Sequence, residues 1–329
     1  MSARRDLPAL ALGLLVVAAL AALHVSVGAK PVPLATLWQA VVAFDPRDFD
    51  HVILRELRLP RAILAAVVGA TLAVAGALMQ GVTRNPLAEP GLLGLTAGAA
   101  AAVVLVVGVF RLAPPAAIPL VAAAGALGAV LVVWLVAARA PGGATPLTLV
   151  LAGAAVTAFL GALTAAANLV AEESFETLRV WLSGSLAGRD LSLLASAGPF
   201  ALLGLGIGLG LAPQVTALAM GDDTAVGLGV RVERLRALVL VAVIALTASA
   251  VALAGPLGFV GLVIPHAVRL LVGADYRRIV PFSAVAGAGY LLVVDIAARV
   301  ALRPVEVSTG IVTALLGAPF FVWLVRARL

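Results

Sequence analysis

The chain has 329 residues, of which 63% are hydrophobic and 12% charged, with a formal net charge of +6. That balance excludes a water-soluble globular domain, and the basic excess lies as scattered arginines between apolar runs, which indicates membrane topology rather than nucleic-acid binding. Without cysteine the chain forms no disulfide, does no thiol chemistry and builds no Cys-based metal site.

The apolar runs are too long and continuous for the alternating strands of a membrane β-barrel, so the expected fold is all-α and polytopic. Arg4 and Arg5 precede a run from Leu7 to Val27. It exceeds the roughly 7–15 apolar residues of a signal peptide, so it reads as an uncleaved first span with His24 as an interfacial side chain. Residues 29–57 are a long polar interval in which Asp45-Pro46-Arg47-Asp48 reads as a turn with helix-cap character. Span two, residues 61–82, is rich in Gly and Ala, which suits close helix contact inside a bundle. A polar hinge follows from Thr83 to Gly91, with Pro86 and Pro90. Spans three, four and five are expected at 91–110, 117–138 and 147–170, separated by Pro114-Pro115 and by the Gly/Pro-rich loop 139–146.

Residues 172–190 are amphipathic, too polar to span, and carry Trp181, so an interfacial helix on the bundle surface is expected. Span six covers 191–212. Residues 213–236 read as two short helices broken at Gly221, the second capped by Asp222 or Asp223. Span seven, 235–254, breaks at Gly255-Pro256, and the apolar stretch 259–271 is short and holds Pro265-His266. Such a segment is tolerated when protein surrounds it. Spans nine and ten lie at 282–302 and 309–325, giving ten segments in a single integral membrane domain, 1–329, with both termini on one side. Placing them in the cytoplasm divides the 22 basic residues twelve inside to ten outside, with an outside cluster at Arg55 to Arg61. The stretch 72–81 resembles 251–260 and fits an inverted repeat or a shared bias to small residues.

No catalytic constellation is present: there is no GxxxxGK[ST], HExxH or GxSxG motif, and the sole lysine, Lys30, lies outside any Gly-rich loop. Energy for transport must come from an ion gradient or a partner. Asp295 and Arg299 stand four apart on one face of span nine, either as a structural ion pair or with Arg299 at the outer mouth. Asp295 has no second intramembrane carboxylate as a proton-relay partner, which argues against an ion-coupled carrier. Gln80, Asn168 and His266 read as helix-packing hydrogen bonds, and His24, His51 and His266 are too dispersed for a metal cluster.

Several stretches then resemble one family. They are RLPR (58–61), AGALMQGVTRNPLAEPGLLG (75–94), WLSGSLAG (181–188), AGPLGFVGLVIPHAVRLLVGADYRR (254–278), DIAAR (295–299) and GIVTALLGAPFFVWLV (310–325). They are similar to the FecCD-type permease subunits of bacterial ABC importers for iron–siderophore complexes, haem and vitamin B12. The resemblance implies a vitamin B12 permease-like bundle of about ten transmembrane helices in the inner membrane, including a short eighth segment. It implies a second permease chain, expected to form a homodimer, two ATPase subunits that hold ATP and magnesium, and a periplasmic or lipid-anchored binding protein. The chain itself would be no enzyme and hold no cofactor. Arg58, Arg61 and Arg299 match the positions that meet glutamates of the binding protein, as exposed charges at the outer mouth. Residues 213–234 match the cytoplasmic coupling helices, which places ATPase contact on Ala217, Leu218, Ala219, Met220, Gly221, Asp222, Asp223 and Leu228. The inner gate maps to Thr145, Pro146 and Leu147, where the vitamin B12 permease has small hydroxyl residues in place of Pro146 and Leu147. The Asp-Pro-Arg-Asp-Phe-Asp segment at 45–50 resembles iron-chelate permeases, so a ferric siderophore is the expected substrate, with haem or vitamin B12 as the alternative.

Overall fold

The computed structural model describes residues 3–28, 32–113, 117–141, 143, 145–170 and 181–328. Helices α1 (Ala3–Ser26) and α2 (Leu34–Val42) come first. Helix α3 (Phe49–Val52) runs through a π-helical stretch, Ile53–Arg58, into α4 (Leu59–Thr83). Helix α5 (Leu95–Val103) continues as a second π-helical stretch, Val104–Val109. Then follow α6 (Ile118–Ala138), α7 (Pro146–Val170), α8 (Leu193–Ala219), α9 (Asp222–Gly227), α10 (Val232–Ala254), α11 (Val260–Val272), α12 (Tyr276–Val300) and α13 (Thr309–Arg328). Among the described residues seven helical stretches are long and apolar enough to cross a membrane. Three shorter apolar helices, Leu95–Val109, Val260–Val272 and Thr309–Trp323, complete the ten segments expected.

Helix α4 is the axis of the bundle and packs on α8, α10, α11 and α12. Small residues permit this, because helices in lipid gain little from apolar burial and associate through close van der Waals contact. A Cβ on Gly76 would run into the carbonyl of Gly261 on α11, and one on Gly69 into the carbonyl of Gly287 on α12. Helices α1 and α7 lie at the periphery and leave few of their side chains buried. Helix α11 has 13 residues, about 20 Å at 1.5 Å per residue, and cannot cross ~30 Å of hydrocarbon alone. Its first half, Val260 to His266, is buried, as a short segment enclosed by protein must be. Gln80 donates to the carbonyls of Gly261 and Leu262 at 3.2 and 3.3 Å, the packing role expected of it.

Four expectations are corrected. The second span starts earlier than residue 61: Asp48 caps α3 by accepting from the N–H groups of Asp50 and His51, and the helix is unbroken through Arg58. Span six does not stop at residue 212, because α8 runs through Pro213 to Ala219. A proline inside a membrane helix persists where neighbouring groups re-satisfy the freed carbonyl. The supposed interfacial segment falls partly on residues 171–180, outside the described residues. Its described part, 181–190, is helical only at Trp181 and Leu182 and is tied into the bundle: Trp181 is buried, the Ser185 N–H donates to the Ala254 carbonyl at 2.8 Å, and the Gly310 N–H donates to the Gly184 carbonyl at 2.9 Å. The stretches 72–81 and 251–260 also differ in structure: the first is continuous helix, the second crosses the break at Gly255.

Candidate functional site

Helix α4 is preceded by Arg58, carries Arg61 in its first turn and is followed by Arg84, and near each end a carboxylate collects arginines. At the first end the carboxylate is Asp295 on α12, which is fully buried. Arg61 grips it bidentately, Nε to Oδ2 at 2.8 Å and Nη2 to Oδ1 at 3.1 Å. Thr309, the first residue of α13, donates its hydroxyl to Oδ1 at 2.7 Å. His24 of α1 places Nε2 2.8 Å from Oδ2, and because a carboxylate only accepts, this ring nitrogen carries the proton. Arg299 approaches Oδ2 with Nε at 3.5 Å. One carboxylate therefore joins α1, α4, α12 and α13. An intramembrane acid survives only with such partners.

The remaining guanidinium donors have specific acceptors. Arg61 Nη1 donates to Glu306 at 2.7 Å. Arg299 donates to the carbonyls of His24 and Val27, both at 2.8 Å, and Arg58 to those of Val25 and Ser26 at 3.0 and 3.1 Å. The end of α1 leaves its last carbonyls without intrahelical partners, and two cations there satisfy them and complement the helix dipole. The expectation of exposed arginines is thus corrected: Arg58, Arg61 and Arg299 are 8%, 8% and 4% exposed. His24 is likewise fully buried rather than interfacial.

At the other end Asp222, the first residue of α9, sits between Arg84 Nη2 at 3.2 Å and Arg236 Nη2 at 2.9 Å. This ties the end of α4 and the start of α10 to the connector between α8 and α10. Gly221 precedes α9 with φ 129°, a backbone angle that L side chains rarely adopt. The cap expectation is corrected, since Gly221 occupies the N-cap and Asp222 and Asp223 fall in the first turn, where their charge suits the helix dipole. So is the pair of short helices. Ala217, Leu218 and Ala219 belong to the end of α8, and Ala217 and Leu218 are buried, out of reach of a partner. Met220, Val226 and Leu228 form the exposed apolar tip, at 69%, 62% and 67% exposure.

Thr145, Pro146 and Leu147 open α7. The Thr145 N–H donates to the Thr148 hydroxyl at 2.8 Å and the Thr148 N–H to the Thr145 hydroxyl at 3.2 Å, a reciprocal cap. Leu147 is exposed. Thr145 also borders a cavity of about 440 Å³ reached by Met79, Trp134, Glu233 and Arg236.

Sequence reasoning missed His24, Thr309 and Glu306 at the Asp295 end, Arg84 and Arg236 at the Asp222 end, and Glu89 between the two. Glu89 accepts from the Phe259 N–H at 2.6 Å, at the N-cap of α11. Burial raises its pKa, and the Phe259 hydrogen bond opposes the rise. The available signal was the chemistry of each lone acid in an apolar setting, which demands a partner without naming it.

Residues 14–327 match the FecCD transport family. The probable siderophore transport system permease protein YfiZ of Bacillus subtilis is 40% identical over 88% of this chain and 87% of its own length. The iron(3+)-hydroxamate import system permease protein FhuB of the same organism is 42% identical over 92% of this chain and 79% of its own length. A solved structure, described as an inward-facing conformation of a metal-chelate type ABC transporter, superposes with a TM-score of 0.84 at 30% identity, covering 97% of this chain and 99% of that one.

Proposed function

The chain belongs to the FecCD transport family, and on that premise we propose that it is the membrane permease of an ABC importer that carries ferric siderophores across the cytoplasmic membrane. The reading is carried by one observation: relatives matching over nine-tenths or so of the chain are permeases of siderophore and hydroxamate import systems. The chain would act as half of a two-fold dimer, with substrate passing along the dimer axis by alternating access. ATP and magnesium would be held by two copies of a separate ATPase subunit.

In this reading both termini are cytoplasmic, the Asp295 end faces outward and the Asp222 end faces the ATPase. The exposed apolar tip at Met220, Val226 and Leu228 supports an ATPase contact, since a short projecting element of this kind fits a groove on a partner. Asp222 would pass the push of ATPase closure to α4 and α10 through Arg84 and Arg236. Thr145, which borders the inner cavity, would form the gate with Pro146 and Leu147. Arg58, Arg61 and Arg299 would receive acidic groups of a binding protein, which steer and orient docking more than they add affinity.

The test is uptake by proteoliposomes holding this chain with its ATPase and binding protein, offered labelled ferric siderophores, haem and cobalamin in parallel, with and without ATP. ATP-dependent uptake of a siderophore is the expected result. Uptake of haem or cobalamin alone would keep the importer and change the substrate. Uptake that follows the proton gradient without ATP would overturn the importer itself.

A further inference from the structure

The arginines assigned to docking are already occupied, and one of their acceptors differs from the rest. Asp295 is inaccessible and held by three helices besides its own. The α1 carbonyls are fixed backbone. Glu306 is a side chain, 41% exposed, on the stretch from Ala301 to Glu306, where every residue is exposed. It takes the one Arg61 nitrogen, Nη1, that does not face Asp295. The cation is thereby neutralised twice, once by an acid that cannot leave and once by an acid that can.

We propose that Glu306 is an internal stand-in for the docking protein's carboxylate, and that docking on this face proceeds by exchange of that carboxylate for Glu306 on Arg61. This rests on the outward-facing docking role proposed above for Arg61. Exchange conserves the number of charge-assisted hydrogen bonds on Arg61, so it leaves no buried donor unpaired at any stage. It also keeps the affinity low enough for release after each delivery, because the incoming acid gains only the difference between two similar pairs. Release of Glu306 frees the 301–306 stretch, which leads directly into Thr309 and α13, so occupancy of the outer face is felt at the start of a membrane helix.

The experiment measures binding of the importer's purified substrate-binding protein to the intact transporter, comparing wild type with Glu306→Gln, Glu306→Asp and Arg303→Glu. Only Glu306 of this pair is exposed, and exchanging it for another carboxylate is expected to act on the scale of surface ion pairs, a factor of about 1.5 to 5 in an equilibrium constant. Glu306→Gln is therefore expected to tighten Kd by about that factor. Glu306→Asp keeps the charge but shortens the reach to Arg61, and is expected to tighten Kd in the same direction. Arg303 is exposed on the same stretch, and its reversal is expected to weaken binding of an acidic partner. Unchanged or weaker binding in Glu306→Gln overturns the exchange. Tightening in Glu306→Gln without tightening in Glu306→Asp also overturns it, by assigning the effect to through-space charge. If Arg303→Glu has no effect, no acidic protein docks on this face, and the docking role fails together with the exchange.

Discussion

The two ends of α4 present the same chemical unit, an aspartate between two arginines, in opposite settings. Asp295 is fully buried and its four partner residues, His24, Arg61, Arg299 and Thr309, come from α1, α4, α12 and α13. Asp222 is 41% exposed and its two arginine partners are 45% and 27% exposed. Charges removed from water must be fully compensated, so the first unit locks the helices that contribute to it. Charges left in water gain little from each other, so the second can break and reform at small cost. The contrast separates a fixed frame from a hinge, and in the proposed importer the hinge lies on the ATPase side.

The sharpest way to break the comparison is Asp295→Ala. It leaves Arg61 and Arg299 buried without their shared anion, and a loss of about 3–5 kcal/mol of stability is expected, read as unfolding in detergent at markedly lower temperature or denaturant. Thr309→Val removes one hydrogen bond to the same carboxylate while keeping the shape, with an expected loss of about 1.5–3 kcal/mol in the same assay. Asp222→Ala should cost less than about 1 kcal/mol. Its effect belongs to function: substrate moved per ATP hydrolysed should fall while ATPase activity persists. A loss of stability as large as that of Asp295→Ala would erase the distinction between the ends.

Glu89 gives the smallest effect and a third setting, because it is part-buried, accepts from a backbone N–H and has no cation in contact with it among the described residues. Burial raises its folded pKa above the ordinary 4.5. The folded state therefore binds the proton more tightly than the unfolded chain, and the contribution is fully present below about 4.5 and lost as pH rises through the folded value. Unfolding measured against pH should show this decline in the wild type, and Glu89→Gln, which keeps an acceptor oxygen, should flatten it.

Much of the fold could be read from apolar run length alone, since α4, α6, α7, α10 and α12 each contain a stretch near the length a bilayer demands. What failed was local. Pro213 looked like a stop because a lone proline terminates helices in water, yet the surrounding bundle carries α8 past it. The site was half legible. Asp295 announced the need for a partner, and Arg299 four residues on was the near candidate, but the bidentate grip comes from Arg61, 234 positions away. His24 and Glu306 were beyond reach for the same reason: periodicity relates neighbours on one helix and says nothing about which helices meet. The exposure assigned to Arg58, Arg61 and Arg299 was wrong because sequence marks where a charge lies along the membrane normal, not whether the bundle covers it.

The cations that close the end of α1 also bear on how the protein is made. Its terminal carbonyls are satisfied by Arg58, 33 residues downstream of Val25, and by Arg299, 275 residues downstream of His24. At about 5–20 residues per second of synthesis, the second donor arrives about a quarter of a minute to a minute after the first helix has left the ribosome. During that interval the end of α1 has Arg58 as its donor but not yet Arg299. Helix α1 is thus fastened at this end in two steps, early by Arg58 and much later by α12, so a chain truncated before Arg299 would hold α1 there by Arg58 without the second cation.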